Sequence, residues 1–332
     1  MFSTPAVAGE RLYIGSCAGV FYCLERKTGA VKWTYDVTQD GGNNFHGSML
    51  VAGESIIIGT DGVKAGHVYA FDLASGAVRW KYPAGNGVST DILRLGAQIF
   101  GAAKNGDEEN ILCLDLNTGR EIWKVTLPLS RHILNKSPVL VENILYYGAS
   151  DGKLYAFAAK SGKILWTKNL GAPIITPVAA AGEFLYTGTE AGILYRLNRA
   201  RGEIASQFDL NGRPYQPAVM GESGEFVVLF VNWMQPGGEL LVLDSNLAKV
   251  RWRFAAANAS PWTIARPYYS NKLLVAGTQD GQVYGYDLRD GKTQWSHRVE
   301  GAARAFASYD GVCYVGTVEG KIFAIEQKLM LK

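Results

Sequence analysis

His46, Asp91 and His132 raise the first chemical question, since an imidazole, a carboxylate and a second imidazole form the set used in proton relays and metal sites. They are separated by 45 and 41 residues, and each sits in a polar stretch between apolar runs. Such a spacing unites them only if the chain repeats a structural unit with that period; otherwise they are solvated polarity at the ends of strands. Stretches of the same kind supply Arg131, Lys136, Arg213, Tyr215, Gln216 and Arg304, together with two tryptophans outside any repeat, Trp233 and Trp262. Arg, Tyr and Trp carry much of the energy in protein interfaces, so these residues are expected to form a contact rim for a protein or peptide partner. A small ligand held among them is the other use such a rim has. No catalytic residue or metal ligand is assigned, because there is no Gly-x-Ser-x-Gly elbow, no HExxH pair and no glycine-rich phosphate loop.

The elements that would position these residues are short and repeated. The segments Val68–Trp80 and Ile111–Trp123 superimpose without a gap, and further copies end at Trp33, Trp166, Trp252 and Trp295, with a degenerate copy ending at Ser206. From Trp33 to Trp295 the successive intervals are 47, 43, 43, 40, 46 and 43 residues, which is the period of a four-stranded propeller blade. An eighth, shorter copy runs from Arg304 to Lys332. Within a copy, period-two alternation and Gly-bearing turns mark the strands. In the fourth these are Pro138–Val141, Ile144–Gly148, Lys153–Phe157 and Ile164–Trp166, with Asp151-Gly152 and Ser161-Gly162 between them.

The linkers are too short for crossover helices, so the expected fold is all-β: an eight-bladed propeller of four-stranded antiparallel blades. One domain covers residues 1–332, with blades near 3–36, 45–83, 88–126, 136–169, 174–209, 215–255, 261–298 and 303–332. Lys328–Lys332 is expected to complete the last blade. The candidate rim then falls on the connections from the last strand of one blade to the first of the next, and on the loop between second and third strands that holds Trp233.

Within this frame the Ala-x-Asp-x-x-Thr-Gly-x-x-x-Trp pattern resembles the tryptophan-docking motif of the PQQ-like, or quinoprotein-type, repeat family, and it covers the whole chain. Gly precedes Trp by four residues at Gly29, Gly76, Gly119, Gly162 and Gly291; the sixth copy has Ala248 instead, and the fifth keeps Gly202 but loses the Trp. The resemblance implies that Trp33, Trp80, Trp123, Trp166, Trp252 and Trp295 dock their rings on the following blade. The indole is large enough to bury a wide area, and its one N–H can reach a main-chain carbonyl.

The family holds two kinds of member. Its alcohol dehydrogenases bind pyrroloquinoline quinone beside Ca²⁺ with an Asp base, Glu and Asn ligands and a disulfide of adjacent cysteines. This chain has no adjacent cysteines, lacks the long insertions of those enzymes and has no dense carboxylate loop. It resembles the BamB-like, non-enzymatic branch more, which implies a protein-binding, scaffold or sensor module without a cofactor. A PQQ and Ca²⁺-dependent dehydrogenase of alcohols or sugars is the alternative.

Composition fits these expectations. There are 33 Lys and Arg against 30 Asp and Glu in 332 residues, without a charge block, so nucleic acid is not an expected partner. No apolar run reaches the roughly 18 to 20 residues of a spanning helix. Cys17, Cys23, Cys113 and Cys313 have no metal-ligand spacing and read as thiols, which suits a reducing compartment. The first residues show no secretory leader, whereas BamB-like proteins are often extracytoplasmic and lipidated on a cysteine. Cys17 lies inside the first repeat, outside any such context.

Overall fold

The computed structural model describes residues 3–62, 65–128, 136–232, 238–255, 267–270 and 273–326. Among them the only helical element is a 3-10 turn at Thr38–Asp40. The rest is eight antiparallel sheets of consecutive strands, lettered A to D within each blade: seven with four strands and a last one with three. This is the all-β, eight-bladed propeller expected from the repeats. The chain divides into two compact units, Met1–Asn169 with blades 1 to 4 and Leu170–Lys332 with blades 5 to 8. The segment Lys328–Lys332, expected to complete the last blade, lies outside the described residues.

The repeat signature is explained by one turn. In blade 2 the Asp72 carboxylate Oδ1 accepts hydrogen bonds from Ala74 N (3.0 Å), Ser75 N (2.8 Å) and the Ser75 hydroxyl (2.8 Å), while Gly76 N closes on Asp72 O at 2.9 Å. Asp115 repeats the arrangement with Asn117 and Thr118. The Thr118 hydroxyl and then its N–H hold the Asp115 carboxyl below its ordinary range. At the end of the turn Gly76 has φ 75° and Gly119 φ 68°, a conformation that favours glycine.

That turn is the landing site for the preceding blade's indole. Trp33 Nε1 donates to Leu73 O (3.3 Å), Trp80 Nε1 to Leu116 O (3.0 Å), Trp123 Nε1 to Ala159 O (2.9 Å) and Trp252 Nε1 to Leu288 O (2.9 Å). A Cβ added at Gly119 would stand 2.5 Å from Trp80, so this glycine answers both to backbone conformation and to close approach of the ring. The indole N–H groups of Trp166 and Trp295 are buried and have no hydrogen-bond partner among the described residues.

Opposite each Trp, on strand C, stands a residue small enough to admit the ring: Cys23, Ala70, Cys113, Ala156, Val242 and Gly285. Two of the four cysteines therefore have a packing role. No disulfide forms. Burial pushes the Cys113 thiol up to about 12, and Cys313 likewise, leaving neither reactive near neutrality.

Blade 5 solves the same problem differently. Arg196 pairs with Ser206 where the other blades set a small residue against Trp. Its guanidinium lies 3.3 Å from the centroid of the Phe184 ring. The Ser206 hydroxyl donates to Asn246 O (2.7 Å), and the Tyr186 hydroxyl donates to Ser245 O (2.8 Å). In blade 6 the left-handed position moves to Leu247 (φ 60°), whose side chain is buried in the cluster that includes Tyr186. Loss of Trp and loss of Gly are one compensated change.

Trp123→Ala is expected to destabilise the chain by about 3 to 5 kcal/mol in denaturant unfolding, as a truncated docked aromatic; a loss under about 1 kcal/mol would show that the ring carries little of the packing. Ser206→Trp is expected to lower the unfolding midpoint, because Leu247, Tyr186 and Arg196 already occupy that seam. A raised midpoint would mean the space is vacant.

Candidate functional site

Among the described candidates, Asp91 and Lys136 sit where a strand A begins, and two neighbouring positions there have separate tasks. The first closes the blade on itself. Ser3 Oγ accepts from Gly15 N (2.7 Å), Thr90 Oγ1 from Ala102 N (2.9 Å) and Thr176 Oγ1 from Gly188 N (2.8 Å), each extending the A–B ladder where main-chain pairing stops. The next position ties blade to blade. In the first unit the Ser48 hydroxyl donates to Thr4 Oγ1 (3.1 Å), Ser48 N to Asp91 Oδ1 (2.8 Å) and Asp91 N to Ser137 Oγ (3.0 Å). Blades 1 to 4 thus carry a continuous row of hydrogen bonds through Thr4, Ser48, Asp91 and Ser137. Asp91 is a half-buried member of it.

His46 lies one blade earlier in the same region. Its Nδ1 is 2.7 Å from Asp61 Oδ2, both side chains being largely covered. The other carboxylate oxygen, Asp61 Oδ1, is buried and has no hydrogen-bond partner among the described residues. Main-chain pairing sets this contact. Asn44 bridges Asp61, Asp61 bridges Gly87 and Gly87 bridges Lys104, so the connections and B–C loops of blades 2 and 3 form a narrow transverse ribbon. A Cβ on Gly87 would stand 2.3 Å from Asp61 Cα, which is why this crossing is built from glycine. The connection carrying His46 is anchored by Asp40, whose carboxylate accepts from the Tyr69 hydroxyl (2.7 Å), the Tyr35 hydroxyl (3.2 Å) and Lys81 Nζ (2.7 Å). Burial works against ionisation of Asp40, but Lys81 and the two phenols outweigh it and keep its carboxyl low. His67 is half-buried beside Tyr69, and burial followed by the charge of Lys81 lowers its imidazole pKa.

Lys136 is 2% exposed. It occupies the position held by Ser3, Thr90 and Thr176, and its Nζ reaches Gly148 O at 3.2 Å, the equivalent end of strand B. A buried ammonium needs a counter-charge, and Glu109 of blade 3 supplies it at 2.6 Å. The other Glu109 oxygen accepts from Ser150 N (3.2 Å), and the ammonium stands 5.1 Å from the Tyr147 ring centroid. Burial drives Tyr147 well above the ordinary phenol range, and the Glu109 carboxylate adds to it. Burial also pulls Lys136 below the usual lysine value in spite of Glu109.

In the second unit, Arg213 is exposed, with its guanidinium 3.5 Å from Glu190 and its N–H bonded to Asn232 Oδ1 (2.8 Å). Gln216 and Arg304 sit at register shifts in the two long A strands, Pro214–Met220 and Ala303–Tyr309. Bulges of this kind re-aim side chains. Gln216 is buried with φ 52°, and Tyr215 beside it is half-buried. Arg131, His132, Trp233 and Trp262 lie outside the described residues. Among the described residues no group of three or more His, Cys, Asp and Glu gathers as metal ligands would. Sequence reasoning missed Asp61, Glu109, Ser48 and Ser137. The one available signal was a lysine at the repeat position that holds a hydroxyl in blades 1, 3 and 5.

Comparison with known proteins places this geometry in context. Residues 107–225 and 190–328 match the family described as outer membrane protein assembly factor BamB. The BamB of Yersinia pestis is 28% identical over 304 residues, covering 84% of this chain and 70% of that protein. Two further relatives of that description are matched over 60% and 61% of their length. Among solved structures, BamB from Moraxella catarrhalis superimposes with a TM-score of 0.78 at 17% identity, covering 97% of this chain and 95% of that one. A quinohemoprotein alcohol dehydrogenase from Comamonas testosteroni gives 0.73 at 15% identity, over 100% and 75%. The two structural likenesses establish the fold alone, since enzymes and non-enzymes share it.

The buried pair yields a prediction with a sign. A lysine whose folded pKa lies below its unfolded value lowers stability wherever it is charged in both states. That penalty fades as pH rises through the folded pKa toward the unfolded one. The wild type should therefore gain stability relative to Lys136→Met/Glu109→Gln as pH rises from 7 toward 10, and the double variant should be at least as stable at pH 7. Glu109→Gln alone leaves an uncompensated buried ammonium and should lose about 3 to 5 kcal/mol. Equal urea midpoints for Glu109→Gln and wild type would contradict the pairing.

Proposed function

The chain belongs to the family of outer membrane protein assembly factor BamB, and from that premise we propose that it is a non-catalytic propeller module that binds a protein partner in the assembly of outer-membrane proteins. The eight blades over residues 1–332 act as one domain in this reading. The connections between blades present the contact surface, with His46, Asp91, Arg213, Tyr215 and Arg304 among its members and Trp233 and Trp262 as aromatic anchors.

The observation that carries the reading is the use made of polar side chains at the blade ends. Asp91, Ser48 and Ser137 are engaged with one another across blades, and His46 with Asp61. That arrangement stiffens the connections and displays a preorganised surface, which lowers the entropic penalty of docking a partner. It is not the arrangement of a nucleophile with its base.

Photo-crosslinking residues placed at Arg213 and, separately, at the exposed outer-strand position Val31 test the reading in cells carrying the assembly machinery. A crosslink to an assembly component from position 213 and none from position 31 is expected. The reverse pattern would move the contact surface to the outer strands. In parallel, the purified chain is titrated with pyrroloquinoline quinone and Ca²⁺ and followed by quinone absorbance and dye reduction with alcohols. Stoichiometric uptake with turnover would replace the proposal with the dehydrogenase reading.

A further inference from the structure

Blade 3 differs from its neighbours in length. Its strands B, C and D, Gln98–Asn105, Glu108–Asp115 and Glu121–Pro128, have eight residues each, against five or six in the B, C and D strands of blades 1, 2 and 4. The added length carries Glu109 and Asn110 on strand C, paired with Leu127 and Thr126 on strand D. It ends in an exposed tip at Asn105–Glu108. The extension is not a solvated hairpin. Glu109 is 4% and Asn110 5% exposed, Leu127 is buried, and the Thr126 hydroxyl donates to Asn110 Oδ1 at 2.7 Å.

Blade 4 departs from the repeat at the matching place. Where Ser3, Thr90 and Thr176 close their own blades with a hydroxyl, Lys136 reaches past the hydroxyl's range to two acceptors, Gly148 O in blade 4 and Glu109 in blade 3. Glu109 in turn receives Ser150 N from the B–C turn of blade 4. One carboxylate of the long hairpin thus holds both the entry to strand A and the B–C turn of the next blade.

We infer that Glu109 and Lys136 form a buried lock that fuses the elongated hairpin of blade 3 to the A-strand entry and B–C turn of blade 4, so that the tip Asn105–Glu108 and Ser150 open as one unit. A hydroxyl at position 136 would close blade 4 as it closes blades 1, 3 and 5. The lysine adds the connection to blade 3, and because the pair is buried, substituting either partner leaves the other without its counterpart and breaks the connection. The lock is independent of what the rim binds, since Glu109 and Lys136 are both buried.

Hydrogen exchange of the intact chain, read amide by amide, tests this with two variants. Glu109→Gln keeps the shape and removes the counter-charge. Lys136→Thr restores the hydroxyl of the repeat. In Glu109→Gln, amides of the hairpin extension and of Ser150 should both exchange at least about tenfold faster, which corresponds to about 1.4 kcal/mol in the opening equilibrium. In Lys136→Thr the strand-A entry of blade 4 should stay protected while the hairpin extension exchanges about tenfold faster. Unchanged hairpin exchange in Lys136→Thr would overturn the proposal, showing that Lys136 serves blade 4 alone. Separate acceleration of hairpin and Ser150 in Glu109→Gln would overturn it as well. Amides around Trp33 and Leu73 in blades 1 and 2 serve as the internal control for global unfolding.

Discussion

The structure depends on one contact made repeatedly: an indole from strand D laid on a glycine turn of the following blade, its N–H on that turn's carbonyl. An isolated four-stranded sheet with two apolar faces has no stable existence in water, and the indole joins it to a partner at its least protected edge. The turn is shaped to receive it. An Asp or equivalent holds the loop, the left-handed residue is glycine, and the absent Cβ leaves room for the ring. Remove either half and the other loses its purpose, as blade 5 and blade 6 show. Ser206, Arg196 and Leu247 replace Trp, a small residue and glycine together, and the Ser206 hydroxyl on Asn246 O makes the bond to the next blade that an indole N–H makes elsewhere.

Because the rings set the separation of consecutive sheets, the beginnings of neighbouring A strands arrive within hydrogen-bonding distance of one another. The row Thr4, Ser48, Asp91 and Ser137 follows from that spacing, and so does the ribbon through Asn44, Asp61, Gly87 and Lys104. Polar groups so placed are satisfied by each other and stiffen the connections that carry them. Side chains that look alike in sequence therefore separate into two groups. Lys136 is consumed inside the protein by Glu109, whereas the Arg213 guanidinium stays exposed, 3.5 Å from Glu190. A binding surface made of the second kind, mounted on the first, is what a scaffold requires.

The sequence by itself determined the repeat, its eight copies, the antiparallel order of strands and the docking tryptophans, since these rest on local alternation, turn chemistry and a period that survives in one dimension. Cys23 and Cys113 were visible as equivalent positions, though not as the small residues that admit an indole. Only the tertiary structure decided what each polar side chain near the blade ends does. Glu109 and Lys136 are 27 residues apart, and nothing local distinguishes a lysine that points to solvent from one that meets a carboxylate on the next sheet. Asp61 stands in an Asp-Gly pair like many others in the repeats, and only the approach of His46 from the preceding connection sets it apart. Strand patterns follow from neighbours along the chain. Ion pairs and interblade hydrogen bonds follow from the distance between sheets, which packing alone sets.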